Sequence, residues 1–324
     1  MIPLVVVAAT AGEPVEEVIV WADPFARWRQ RWTVATEVHF AEPPELIGWH
    51  NTSLELLRMQ LRMVIACDDT GALLPNLHEV VCEIEDLSIV AMPRVPRASD
   101  LEVVRQIDAT LTGAQVQLQV SADGKVPNVD LEGIAEPDQR ARERAELRLV
   151  VSRAMSAFHL DLETPVRDGM VWQEYGSRLF EMPSLLATRG GSVVTHYLDA
   201  VGPGMFVVQS IGEADVMPGT PVEFSTVSSS NSVSDMPRWY STPSRHYRSV
   251  LTGVASIDRA TGVMTERVWA VTAPPTGPAR NLQYSTGRLR MLGADERVDV
   301  GPTVVTTSAD GRFPSRPAWV PLEP

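Results

Sequence analysis

The sequence predicts a mainly β (α+β) protein, built as two tandem antiparallel sheets with one amphipathic helix between them. Three observations carry that reading. Apolar and polar residues alternate along most of the chain, as they do in strands that bury one face. A strand-and-turn phrase recurs: Thr110-Leu111-Thr112-Gly113 leads to a turn at Ser121-Ala122-Asp123-Gly124, and Val250-Leu251-Thr252-Gly253 leads to one at Asp258-Arg259-Ala260-Thr261-Gly262. This internal duplication sets Trp28 and Trp172 at the openings of two copies. One segment, Glu136 to Phe158, breaks the alternation with helical spacing.

The elements follow in order. From Trp28, residues Trp28, Gln30, Trp32, Val34, Thr36, Val38 and Phe40 share one strand face, while Arg27, Arg29, Arg31, Thr33, Glu37 and His39 share the other. A second strand covers Leu57 to Cys67 and a third Glu79 to Met92, with a phase slip near Asp86 that reads as a bulge. Ala109 to Val120 and Lys125 to Leu131 flank the Asp123-Gly124 hairpin signal. The helix places Leu147, Val151, Ala154 and Phe158 on one side, and Pro137-Asp138 suits its start. The second copy reads as strands at Val171–Phe180, Ser192–Ala200, Met205–Ile211, Tyr247–Ile257, Val263–Thr272 and Leu282–Leu292, with a Ser-rich surface loop over Met217–Pro243. The resulting division is 1–22 (remnant of an export signal and a first strand), 23–135 (first β-domain), 136–158 (helix), 159–300 (second β-domain) and 301–324 (tail).

Composition narrows the classes. At 324 residues, 44% hydrophobic and 21% charged, the chain is long and apolar enough for two folded domains. A formal charge of −13 repels phosphate backbones, so nucleic acid is not an expected partner. No stretch approaches the ~20 apolar residues of a membrane span. The apolar run Ile2–Ala9, followed by the small-x-small Ala9-Thr10-Ala11, has the form of the end of an export signal, without its basic region. That favours a periplasmic or extracellular location; an ordinary strand in a cytoplasmic protein is the alternative.

Cys67 and Cys82 are equidistant from a hairpin centre at Leu74-Pro75. In an exported protein they form a cross-strand disulfide, and otherwise they are two buried thiols. His78-Glu79-x-x-Cys82 falls short of a zinc motif, because its last position is Cys and the segment reads as a strand. The histidines are scattered singly, and Glu83 with Glu85 reads as a solvated pair. No catalytic residue, metal or cofactor is assigned. Trp28 and Trp32 share a face, so with Trp172 they are the candidates for an aromatic ligand groove; core packing is the alternative.

Thr164-Pro165-Val166-Arg167-Asp168-Gly169-Met170-Val171-Trp172, with Gly253-Val254-Ala255-Ser256-Ile257-Asp258 and Thr261-Gly262, resembles bacterial exported lipoprotein-carrier-like (LolA/LppX-like) proteins and related secreted β-domains. The resemblance implies that the two sheets are curved half-barrels around an apolar groove. It also implies a lipid or other apolar ligand, and it transfers no catalytic residues. The function read from the chain is thus a non-enzymatic exported protein binding an apolar ligand or a protein partner in a sheet groove. The alternatives are a structural scaffold of the bacterial envelope with an envelope protein partner, and a hydrolase with a dispersed site.

Overall fold

The computed structural model describes residues 25–39, 45–47, 53–121, 128–130, 157–158, 160, 169–175, 186–201, 204–218, 247–273 and 283–306. Thirteen strands are described: β1 (Arg31–His39), β2 (Glu45–Ile47), β3 (Ser53–Leu74), β4 (Leu77–Pro93), β5 (Gln115–Ser121), β6 (Asn128–Asp130), β7 (Val171–Tyr175), β8 (Leu186–Val201), β9 (Met205–Pro218), β10 (Tyr247–Asp258), β11 (Met264–Ala273), β12 (Gln283–Met291) and β13 (Val304–Val305). They form one sheet in the order β6-β5-β4-β3-β1-β12-β11-β10-β9-β8-β7, with β2 on β3 and β13 on β4. Among the described strands, only the β13–β4 pairing is parallel.

The two predicted sets of strands are therefore joined edge to edge. β1 pairs β12 from Trp32↔Met291 to His39↔Tyr284, and one connected apolar core runs from Val116 and Leu118 on β5 to Trp172 on β7. Period-two alternation explains this directly, because each strand sends every second residue to the same core face.

Two local readings are corrected. Thr110-Leu111 does not begin a strand: it ends a helix, α1 (Asp100–Leu111). Val103, Val104, Ile107 and Leu111 form its buried stripe, at the spacing a helix needs. Gly113 follows with φ 79°, the left-handed conformation that glycine adopts without a Cβ penalty just past a helix. Gly253, its supposed counterpart, lies inside β10 opposite Trp269. The shared Leu-Thr-Gly phrase thus has two different conformations. The helix read at 136–158 lies outside the described residues, except Ala157 and Phe158, which sit in a turn.

The second correction is at Trp28. It lies in a single 3-10 turn, Ala26–Arg29, before β1 begins. The Trp28 N–H donates to Phe25 O at 2.8 Å and closes the turn. That rotates Arg27 off the face predicted for it with Arg29 and Arg31 and buries it, while Arg29 and Arg31 stay outside on Asp69 and Glu85.

β3 and β4 form one long hairpin whose turn is Pro75-Asn76, so Asp68–Leu74 is strand and not connection. Cys67 pairs Cys82 across it, and a disulfide joins them. The turn lies beyond the centre read from the sequence. Register shifts at Asp69/Gly71 and Ala72/Leu74 absorb the difference. A further shift at Val64/Ile65 leaves Glu85 unpaired in the ladder, beside the predicted slip at Asp86.

After β12 the chain crosses the outer face of the first half as a strap. Arg31 donates to Glu296 O (2.6 Å), Arg62 to Val300 O (3.2 Å) and Ser88 to Pro302 O (3.0 Å). Leu292 and Val300 pack on Val64 beneath it. The strap ends as β13.

On the same outer face Glu37 lies between Arg58 and His39. Burial favours its neutral form, but hydrogen bonds from His39 and Arg58, and the Arg58 charge, outweigh burial and hold the carboxyl below its usual value. A carboxylate with a depressed folded pKa contributes stability above its unfolded pKa and loses it as pH falls through the folded value. Urea midpoints measured from pH 6 down to pH 3 are therefore expected to fall more steeply for the wild type than for Glu37→Gln. Parallel slopes would refute the role of Glu37.

Candidate functional site

The sheet registers align one row of core-facing positions: Trp172, His196, Ser210, Gly253, Trp269, Gly287, Thr36, Leu61 and Ile89. An adjacent row holds Leu198, Val208, Ala255, Arg267, Leu289, Val34, Met63 and Leu87. Against this apolar field a small polar cluster stands out. Glu174 on β7, His196 on β8, Ser210 on β9 and Arg267 on β11 are all buried, at 2%, 0%, 2% and 1% exposure.

The cluster is hydrogen-bonded across strands. His196 Nδ1 lies 2.9 Å from Ser210 Oγ, and His196 Nε2 lies 3.0 Å from Glu174 Oε2. The arrangement is satisfied when Nε2–H donates to the carboxylate and the Ser210 hydroxyl donates to Nδ1. Trp172 stacks on His196 with ring centroids 5.1 Å apart. Burial lowers the Arg267 guanidinium to about 10, with Glu174 acting to raise it and Arg27 to lower it. Arg267 stays charged at neutral pH and feels both groups.

A second set of contacts meets this cluster from the 3-10 turn. Arg267 donates to Ala157 O (3.3 Å) and Arg27 to Phe158 O (3.4 Å), two successive main-chain carbonyls. The Phe158 ring stacks on Trp28 (5.1 Å) and meets Trp32 edge-on (5.2 Å). The Trp32 indole donates to Arg27 O at 3.1 Å. The Trp28 indole N–H is buried without a hydrogen-bond partner.

Of the residues the sequence singled out, Trp28 and Trp32 meet at Phe158, both fully buried. Trp172 lies on the far side of the polar cluster, against His196. Cys67 and Cys82 face the same apolar core on β3 and β4. His78 is 2.9 Å from Asp69 and stacks on Phe25, and Cys82 is held in the disulfide, so His78-Glu79-x-x-Cys82 brings no ligands together. Among the described residues no group of three or more His, Cys, Asp or Glu is placed to hold a metal ion, and no helix is long and apolar enough to cross a membrane.

No known family model matches this chain, and no curated protein matches it. One similar solved structure is described as "Lipid-protein interactions in lipovitellin". It has a TM-score of 0.42 and 10% identity, covering 85% of this chain and 26% of that one. The chain thus spans about a quarter of that structure's length.

Glu174, His196, Ser210 and Arg267 were not singled out by sequence reasoning. A signal existed: each sits at the buried phase of its strand, as Arg267 does in Arg267-x-Trp269-x-Val271. A polar residue in phase with an apolar stripe marks a buried polar site. Which of them touch is set by strand register, and that is not written in any one strand.

Proposed function

We propose that this chain is a non-enzymatic exported protein that holds an apolar ligand, such as a lipid, against the core face of its sheet. The observation that carries this reading is the single apolar core face continuous from β5 to β7, interrupted by a few convergent polar side chains. Wide apolar surfaces with a small polar set are how small-molecule sites are built. The Cys67–Cys82 disulfide supports an oxidising compartment and hence export to the periplasm or beyond. On this reading the lipoprotein-carrier-like half-barrel is the parent architecture, residues 23–135 and 159–300 are two arms of one ligand site, and Trp28, Trp32 and Trp172 form its aromatic lining.

The test is titration of the full, delipidated chain with hexadecanol, followed by tryptophan fluorescence. Saturable binding at micromolar concentration or below is expected. A flat titration, with no lipid extracted from the protein as purified, would sink the reading.

The hydrolase reading draws on one observation, the Ser210–His196–Glu174 chain. It is the weaker one. Ser210 is 2% exposed, and His196 meets it through Nδ1 with Nε2 on the carboxylate, the reverse of the usual triad order. Ester turnover abolished by Ser210→Ala would reverse this ranking.

A further inference from the structure

We propose that the outer face of β7–β10, on the side of the sheet away from the apolar core, is the contact surface for a second copy of this chain in a two-fold symmetric dimer. The ligand reading above uses the opposite face, so neither depends on the other.

The first argument is the residue pattern. A sheet with one face in water alternates apolar and polar residues, whereas strands covered on both faces read apolar in both phases. β8 carries Val193-Val194 and Tyr197-Leu198, and β10 carries Val250-Leu251 and Val254-Ala255. In each pair the second residue is buried in the core, and the first supplies a second apolar phase on the outer side. On the first half the chain covers its own outer face, where Leu292 and Val300 of the strap pack on Val64. On the second half the outward side chains are exposed: Val171 at 55%, Tyr175 at 71%, Ile211 at 52% and Val254 at 47%, with Tyr197 and Val250.

The second argument is continuity and size. Val171 lies beside Tyr197, Ile211 lies between Thr195 and Thr252, and Gln209 bridges Tyr197 to Val254. Exposed apolar residues elsewhere, such as Leu73, Leu74 and Met205, sit at strand ends instead. The six clustered side chains present on the order of 600 Å² per copy, at the upper end of what a monomer exposes. Two such faces in contact would bury on the order of 1,200 Å², which clears the ~1,000 Å² that a specific interface needs.

The third argument is charge, and it selects the occupant. At a formal charge of −13, most surfaces of two copies repel each other. At the outward positions of residues 171–175, 193–197, 209–213 and 250–254, Glu213 is the one charged residue. Without Lys or Arg there, nothing draws this face to anionic headgroups. A sheet face is instead matched by another sheet face, stacked about 10 Å away. A two-fold axis crossing the strands at the row of Ile211 sets Glu213 over the row of Gln209 in the second copy, so the two carboxylates stay apart. Such an isologous contact closes on itself and stops at the dimer.

The test is sedimentation velocity of the full chain over a range from about 1 to 100 μM, the span in which an interface of this size assembles. The wild type is expected to pass from monomer to dimer and to plateau there. Ile211→Glu/Val254→Glu is expected to raise the dimer dissociation constant about a hundredfold or more, because like charges then face each other inside the contact. Ile211→Thr/Val254→Thr keeps strand-forming residues and is expected to weaken the dimer about tenfold or more, which serves should the glutamates impair folding. Val95→Glu, at an exposed apolar residue beyond β4, is expected to leave the dimer intact. A wild type that stays monomeric throughout overturns the proposal; if that monomer cosediments with phosphatidylcholine vesicles, the face belongs to a lipid surface. A dimer that survives both double variants, or growth past the dimer without a plateau, also overturns it.

Discussion

Gly287→Ala is expected to destabilise the protein by about 3 kcal/mol, at the upper end of the usual cost of overpacking a filled core, and Gly287→Val by more. Gly287 lies on β12 at the junction of the two halves, between Trp269 on β11 and Thr36 on β1. The indole of Trp269 lies flat across it, and a Cβ at 287 would fall among the Trp269 carbons Cζ2, Cε2 and Cη2. Those are ring atoms of a buried side chain, so the clash is relieved only by moving the whole indole or the strand. The check is a double-mutant cycle by urea denaturation. In a Trp269→Leu background, Gly287→Ala is expected to cost little, because the obstructing ring is gone. Equal costs in both backgrounds would show that the indole is not the obstacle.

The second large effect is at the disulfide. Removing it with Cys67→Ala/Cys82→Ala is expected to lower stability by about 3 kcal/mol, the usual worth of closing a loop of this length; the two cysteines are 15 residues apart. Dithiothreitol should lower the wild-type urea midpoint nearly to that of the variant and leave the variant unchanged. An unchanged wild-type midpoint in reductant would mean that the bridge adds nothing to the β3–β4 hairpin. The Cys67↔Cys82 pair faces the core, so the alanines also leave a small void, and the variant's loss is expected to be slightly the larger of the two.

Much of the sheet was legible because the alternation is local. β10, β11 and β12 fall within about two residues of their predicted spans, since each strand needs only its own sequence to declare its period. α1 was missed for the same local reason. Thr110-Leu111-Thr112-Gly113 looks like Val250-Leu251-Thr252-Gly253, yet Val103, Val104, Ile107 and Leu111 carry helical spacing that outweighs the likeness. Trp28 was misplaced because a single 3-10 turn leaves almost no periodic trace. The candidate site lay out of reach in another way. Glu174, His196, Ser210 and Arg267 come from four strands, and their meeting depends on registers that no single strand encodes. The cysteine pair was legible because one hairpin holds both partners, even with two register shifts before the turn.

The β1–β12 seam has a consequence for synthesis. β1 leaves the ribosome about 250 residues before β12, yet among the described strands they are neighbours at the middle of the sheet. Until β12 emerges, the nascent chain carries a nine-residue strand, Arg31–His39, with one row of backbone donors and acceptors open. Such an edge invites pairing with other chains, and contacts this distant in sequence close slowly. The order of translation thus leaves the centre of the sheet, rather than its rim, open until β12 is made. A holding chaperone that shields β1 until β12 emerges would protect the seam at its most vulnerable stage.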